Sequence, residues 1–362
     1  MNAPFHIAPA PMRLAVVRLA DLADAEEAHR IEAFLADHPQ ATAFHRPAWL
    51  QAVAQGTSNP ALALIAERGS QLCAYLPLSD VHSPIFGRML ASSGFAVGGG
   101  LLLAGGQADP MFAALEELAL RRSIPAAELR GGELPQGRTG WTIKTTSHCG
   151  FVAPLAADDE AQLLAIPRKQ RAEVRKGLAN DLTVETGTAP RDRAWHYAVY
   201  AESVRNLGTP VFPRALFDAV LDRFGIDADI LTVLSQGQPV ASVLSLYHRG
   251  AVLPYWGGGT WEARRLRAND RMYFELMRHA RQRGCTAFDF GRSKTGSGAF
   301  DFKRNWGFEP QPLAYAAWTA PGAEARDADP TSARHAAQIA LWRRLPLRIA
   351  NLLGPWISRG LG

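Results

Sequence analysis

The chain has 362 residues, 47% of them hydrophobic, and carries 39 Lys and Arg against 34 Asp and Glu for a net charge of +5. That length exceeds one comfortable core and predicts two domains, while the ordinary composition excludes a disordered or low-complexity protein. No apolar run reaches the roughly 18 residues of a membrane-spanning helix, and three solitary cysteines with ten scattered histidines give neither a disulfide framework nor a metal site.

Residues 1–11 have no basic stretch leading into an apolar core, so the expectation is a cytoplasmic protein without a secretory signal. An apolar strand is predicted over 12–19, then helices over 26–36 and 47–54, the second opening after the turn His45-Arg46-Pro47. A hairpin follows, 61–67 and 72–78 about the turn Arg68-Gly69-Ser70. Beyond a Ser- and Gly-rich loop come a strand at 101–103, a helix over 110–122 with Pro in its first turn, and a strand over 126–129 ending at Gly131-Gly132.

The second half repeats that order. A basic helix is predicted over 167–178, an alternating strand over 182–185, and helices over 193–204 and 213–224. A hairpin pairs 229–234 with 239–247 across Gln236-Gly237, and a strand over 251–256 runs into Gly257-Gly258-Gly259. Asn269 or Asp270 is the expected cap of a helix whose apolar face includes Met272, Tyr273, Leu276 and Met277, with Gly284 at its end. A strand over 286–290 then runs into Gly291-Arg292-Ser293. Hairpin, strand into glycines, helix, strand into a polar turn thus occurs twice, which predicts a duplicated unit of mixed sheet flanked by helices, joined near 154–159.

Two basic clusters imply an anionic partner more strongly than the net charge does. Arg168, Arg171 and Arg175 recur at helical spacing, with Lys169 and Lys176 beside them, a face suited to nucleotide diphosphates, lipid pyrophosphates or a tRNA backbone. The tail carries Arg334, Arg343, Arg344, Arg348 and Arg359, with no acidic residue after Asp329. Its mixture of these arginines with Leu341, Trp342, Ile349, Leu352, Leu353 and Trp356 fits either an amphipathic segment on an anionic membrane or a helix docked on the protein's own body. Pro346 and Pro355 are expected to break it into short pieces.

Several motifs in order carry a family resemblance. In the first half they are Phe44-His45-Arg46-Pro47-Ala48-Trp49, Leu76-Pro77-Leu78-Ser79 and Gly98-Gly99-Gly100. In the second they are Pro167-Arg168-Lys169-Gln170-Arg171, Leu207-Gly208-Thr209-Pro210-Val211-Phe212-Pro213, Phe288-Asp289-Phe290-Gly291-Arg292-Ser293 and Phe302-Lys303-Arg304-Asn305-Trp306-Gly307-Phe308. The Asp-Phe-Gly tripeptide does not signal a kinase here, since no Gly-rich loop, strand lysine or His-Arg-Asp motif accompanies it. Together these stretches resemble the FemAB-like proteins of the GNAT-like acyltransferase superfamily, and look closest to the branch associated with exosortase and exopolysaccharide loci.

The resemblance implies an α/β fold of tandem duplicated acetyltransferase-like domains, over 1–154 and 155–320, with 321–362 as linker and tail. It implies transfer of an aminoacyl or acyl group to an amine or hydroxyl of an anionic small-molecule or lipid-linked precursor of the envelope or an exopolysaccharide. The donor would be aminoacyl-tRNA or acyl-CoA, and the alternatives are a CoA-dependent N-acyltransferase for exopolysaccharide sugars or a non-catalytic assembly module. In such a fold the donor enters between two splayed parallel strands. Asp289 is then the candidate proton acceptor or polar anchor, and Lys303, matching the family's F-K-x-x-[FW]-G pattern, the candidate for stabilising a negative intermediate or holding a phosphate. Arg292, Ser293 and Tyr255 are candidate substrate contacts, as are Arg168, Lys169, Arg171, Arg175 and Lys176. One departure counts against ordinary CoA binding. CoA enzymes of this fold carry a [QR]-x-x-G-x-[GA] loop whose amides hold the pyrophosphate, and this chain has 264–271 there without a glycine.

Overall fold

The computed structural model describes residues 15–324 and 336–362. The first residues of the strand predicted over 12–19, and Arg334 of the tail, lie outside them.

The first half runs β1 (Val16–Leu19), α1 (Ala25–Asp37), α2 (Pro47–Thr57), β2 (Ala61–Arg68), β3 (Gln71–Ser83), β4 (Gly87–Ser92), β5 (Leu102–Leu103), α3 (Asp109–Arg121), β6 (Ala126–Arg130) and β7 (Trp141–Pro154). The second runs α4 (Asp159–Ala165), α5 (Arg168–Ala179), β8 (Thr183–Gly187), α6 (Pro190–Leu207), α7 (Arg214–Phe224), β9 (Ala228–Ser235), β10 (Gln238–His248), β11 (Ala251–Gly259), α8 (Trp261–Leu266), α9 (Ala268–Gln282), β12 (Ala287–Lys294), α10 (Gly298–Asn305) and β13 (Gln311–Thr319). Two tail helices follow, α11 (Ala336–Arg344) and α12 (Leu347–Ser358).

All these strands join one sheet in the order β1-β2-β3-β4-β6-β13-β7-β12-β11-β10-β9-β8, with β5 beside β3. Each half contributes an antiparallel run followed by one parallel pair, β4 with β6 and β11 with β12. The last strand of each half is exchanged. β7 pairs with β12, as in Phe288↔Ala153, while β13 pairs with β6, as in Ala316↔Leu129. Backbone pairing therefore crosses the middle of the chain in both directions. Duplication was legible in the order of elements, but the first-half partner of β6 is β4, in the stretch expected to be loop, and 101–103 supplies only a two-residue strand against β3.

The core follows the sheet. One cluster packs α9 and α10 on the second half, with Met272, Met277, Phe288 and Phe290, and another packs α3 on the first, with Phe112, Leu115 and Leu129. A third lies between the halves and joins Phe44 and Trp49 to Phe217, Phe224 and Trp256. The indole of Trp49 stacks on that of Trp256 with centroids 5.9 Å apart, and its Nε1 donates to the Gly94 carbonyl at 3.1 Å. Arg46 pairs with Asp227 at 2.9 Å, so the Phe44–Trp49 motif is spent on holding the halves together. His45 is buried, donates from Nε2 to the Gly100 carbonyl and accepts at Nδ1 from the Thr42 N–H, and burial pushes its pKa down to about 3.

Two expectations about helix ends shift. The residue capping α9 is Arg267, in the left-handed region at φ 53°, because α8 ends in a tight turn and passes straight into the next helix. In the tail, Pro346 precedes α12 as a helix start, but Pro355 sits inside α12 and does not end it. Among the described residues no helix is long and apolar enough to cross a membrane.

Candidate functional site

β11 and β12 are in register only at Ala251↔Ala287 and Val252↔Phe288. Beyond that point each keeps its outer neighbour, β11 to Gly259 against β10 and β12 to Lys294 against β7, but they no longer pair with each other. The result is a wedge in the middle of the sheet, with backbone groups of β11 past Val252 unpaired to any strand on that side. The first half diverges in the same way after Ala91↔Glu128. There the gap is bridged. Buried Arg130 donates to the Ala96 carbonyl at 3.0 Å and the Gly362 carbonyl at 3.1 Å, and pairs with Glu128 at 2.7 Å.

At the second wedge β12 carries a bulge, since its register against β7 slips between Asp289↔Val152 and Arg292↔Gly150. Gly291 makes it possible by adopting φ 67°, which side chains other than glycine rarely tolerate. The Asp289 carboxylate accepts from the Gly291 N–H at 2.8 Å and so braces the bulge. Burial raises the Asp289 pKa above the usual carboxylate range, against the opposing effects of that N–H and of the Lys303 charge.

Lys303 reaches the same place from α10, a helix capped by Ser297 and held by Phe300 against Phe151 with centroids 5.4 Å apart. Its side chain is turned inward, only 9% exposed, and Nζ donates to the Arg292 carbonyl at 2.9 Å. Burial depresses its pKa to about 8, with Asp289 acting in the opposite direction. The solvated helix lysine that most surface charges would be is therefore excluded here. Arg292 donates from Nη1 to the Tyr315 hydroxyl at 2.9 Å, and Tyr315 donates onward to the Val97 carbonyl at 3.0 Å. Ser293 is buried, and its hydroxyl has no hydrogen-bond partner among the described residues. Asp289, Arg292, Ser293 and Lys303, named from one stretch of sequence, are thus assembled around one bulge beside the wedge.

Tyr255, on β11 and close enough to feel the Arg292 charge, has its hydroxyl engaged by the first half. Its ring packs within 5.3 Å of Phe44, Trp49 and Trp256, and its hydroxyl donates to the Phe95 carbonyl, tying β11 to the first half. A Tyr255→Phe variant is expected to lose about 1 kcal/mol of stability in chemical denaturation and to change transfer rates less than threefold. A hundredfold loss of rate with unchanged stability would instead put the hydroxyl in the chemistry.

The basic residues of α5 form a separate surface over the corner between α8 and α9. Gly177 allows the approach, since a Cβ there would stand 2.8 Å from the Arg267 carbonyl oxygen. Asn180 donates to the Leu266 carbonyl at 2.7 Å, and Arg267 pairs with Glu173 at 2.6 Å. Arg168, Lys169 and Arg175 remain exposed, whereas Arg171 folds back onto the Ile166 and Leu164 carbonyls and Lys176 pairs with Glu173. The two helix starts after β11 are already supplied with carboxylates. The Trp261 N–H donates to Glu202 at 2.8 Å, and Asp270 lies in the first turn of α9, where Gln170 donates to it and burial raises its pKa. The glycines of β11 are likewise filled: a Cβ on Gly258 would meet Ser203 Oγ at 2.3 Å, and one on Gly257 would meet the Tyr273 hydroxyl at 3.1 Å.

Three participants were not singled out in the sequence. Tyr273 was read only as part of an apolar helix face, yet its hydroxyl reaches β11 and burial raises its pKa to about 12. Tyr315 lies on β13, a strand not foreseen. The Phe95–Val97 segment comes from the other half of the chain, and nothing local marks it.

Residues 168–304 match the acetyltransferase (GNAT) domain family, a stretch that opens on α5 and closes just past Lys303. No curated protein matches the chain. Among solved structures, FemX is similar with a TM-score of 0.62 at 14% identity, covering 80% of this chain and 95% of that one. A tandem GNAT protein from the clavulanic acid biosynthesis pathway gives 0.55 at 11% identity, covering 85% and 100%. The C-terminal domain of a putative lysylphosphatidylglycerol synthetase from Agrobacterium fabrum gives 0.53 at 16%, covering 82% and 93%. These likenesses are likenesses of fold and fit a tandem GNAT-like architecture, with the match to the GNAT domain family lying in its second half.

Proposed function

We propose that the protein transfers an aminoacyl or acyl group to an amine or hydroxyl of an anionic envelope or exopolysaccharide precursor, at the wedge between β11 and β12. The observation that carries this reading is the Asp289–Gly291 bulge, which sets a half-buried carboxylate near a buried lysine where the parallel strands part. The acceptor nucleophile attacks the donor carbonyl carbon, its proton passes to Asp289, and Asp289 returns that proton to the departing alcohol or thiol as the bond to the donor breaks and the new amide or ester forms. Unpaired N–H groups of β11 and the Lys303 cation are the groups available to the oxyanion. Arg292, held by Tyr315, is the group available to hold the acceptor, with the buried Ser293 hydroxyl behind it. The first half, 1–154, acts as scaffold and supplies Phe95–Val97 to the site.

Aminoacyl-tRNA is favoured over acyl-CoA as donor. A pyrophosphate needs free N–H groups at a helix start after β11; at α8 the Trp261 N–H is taken by Glu202, and α9 carries Asp270 in its first turn. The exposed Arg168, Lys169 and Arg175 suit a polynucleotide backbone instead. Filter binding of aminoacyl-tRNA to the full chain should weaken about tenfold in an Arg168→Glu/Arg175→Glu variant and fall with added salt, since each lost phosphate contact removes a counterion-release contribution. Saturable stabilisation by acyl-CoA with no binding of aminoacyl-tRNA would overturn the donor assignment.

A further inference from the structure

α12 is turned inside out. Its small residues face the body: Ala350 and Ser358 are buried, Ser358 Oγ donates to the Val211 carbonyl at 2.8 Å, and a Cβ on Gly354 would stand 3.0 Å from the Val211 nitrogen. Its large residues face outward. Ile349 is 44% exposed, Leu352 77%, Leu353 43% and Trp356 49%. At 3.6 residues per turn, positions 349, 352, 353 and 356 form one stripe, and Arg348 and Arg359 fall along its flank. Leu341 of α11 is exposed too, so five of the fourteen exposed large apolar side chains among the described residues lie between 341 and 356. Such clustering marks a contact surface, whereas scattered apolar residues need no partner.

We propose that this stripe lies on an anionic lipid bilayer, with α12 parallel to the membrane plane. The charge pattern selects the occupant. Arg348 and Arg359 flank the stripe, Arg343 and Arg344 end the preceding helix, and no Asp or Glu occurs after Asp329. A second copy of the chain would bring the same uncompensated arginines to the contact, whereas phosphate headgroups neutralise them. Tryptophan at the edge of such a stripe suits the headgroup boundary. The helix is too short to span, which makes surface binding the available mode. The docking stands on this surface alone. Its consequence, which rests on the transfer reading, is that the acceptor is lipid-linked. Val211, under α12, leads into Phe212, whose ring packs 5.6 Å from Phe95 and 6.3 Å from Trp256 next to the wedge.

Co-sedimentation of the full chain with phosphatidylglycerol–phosphatidylcholine vesicles tests the proposal. Binding is expected to the mixed vesicles and to drop at least tenfold on phosphatidylcholine alone. A Leu352→Glu/Trp356→Glu variant should lose it with an unchanged melting temperature, and Arg348→Glu should weaken it about twenty-five-fold and flatten its salt dependence, as a charge reversal near an anionic surface removes two favourable unit steps of about fivefold each. No binding to the anionic vesicles, or equal binding by the double variant, overturns it. So does a wild-type dimer that the double variant converts to monomer, since that outcome assigns the stripe to a second copy. Transfer to a soluble acceptor fragment that survives in the double variant leaves the transfer reading intact whatever the vesicles show, so the two can fail separately.

Discussion

Replacing Lys303 with methionine is expected to cut transfer by about a hundredfold or more, the size of effect seen when an oxyanion-stabilising group is removed, without lowering stability at pH 7. Methionine keeps the length and apolar stem of the side chain, which lies near the rings of Phe151 and Phe290. The charge is what the fold tolerates at a cost. A pKa lowered from 10.5 to about 8 by burial corresponds to roughly 3 kcal/mol against the protonated form in the folded state. The sign follows from which state holds more protons. Between about pH 8 and 10.5 the unfolded chain keeps the lysine protonated while the folded chain has released it, so wild-type stability rises with pH across that window. Below about pH 8 the penalty is fully present and above 10.5 it is gone. The methionine variant loses a donor to the Arg292 carbonyl, about 1 kcal/mol, which the relieved penalty exceeds. Denaturation curves at pH 7 and pH 10 should therefore show the variant's advantage shrinking as pH rises. Wild-type transfer should decline as pH climbs through about 8, because the reaction needs the cation. Activity within threefold of wild type, or a stability difference that ignores pH, would remove Lys303 from its assigned role.

That residue also shows how far the sequence reaches. Asp289, Arg292, Ser293 and Lys303 are close in the chain, and alternation along a strand that ends in a polar turn suffices to group them. What the chain order does not reveal is the bulge that turns them toward the wedge, because it depends on β7, a strand with three Thr whose period is blurred by partial exposure. β7 and β13 escape local reading for a second reason: their partners are exchanged between the halves, and nonlocal pairing leaves no local trace. The helices fared better. α1, α2, α3, α6, α7 and α9 each follow from apolar period and flanking punctuation, with ends displaced where a neighbour supplied the cap, as at Arg267. Tyr255 illustrates the opposite limit. Its place on a strand entering the wedge is readable, but the Phe95 carbonyl that claims its hydroxyl lies 160 residues away.

The second large effect is expected far from the wedge, at Gly56. This glycine sits in the last turns of α2, where helix propensity alone favours alanine by about 1 kcal/mol. Its reason is the closeness of α7. A Cβ at Gly56 would stand 2.3 Å from the Leu216 Cα and 2.6 Å from its nitrogen, so the obstacle is backbone and cannot rotate aside. Relief requires α2 and α7 to separate, and these helices carry the contact between halves: Trp49 on Trp256, Trp49 on Phe224, and Arg223 donating to Gln51 at 2.7 Å. Gly56→Ala is expected to destabilise by about 2–3 kcal/mol despite its better propensity, and Gly56→Leu by more, at the upper end of overpacking costs. Gly298→Ala, at the exposed start of α10 with nothing near the added methyl, should stay within about 0.5 kcal/mol. Because α2 also carries Trp49, whose ring meets Tyr255 edge-on at 5.3 Å, the displacement reaches β11. Transfer by Gly56→Ala should accordingly fall severalfold even at temperatures where the variant remains folded. Wild-type stability and rate in that variant would show the halves to be packed more loosely than the contact between Gly56 and Leu216 requires.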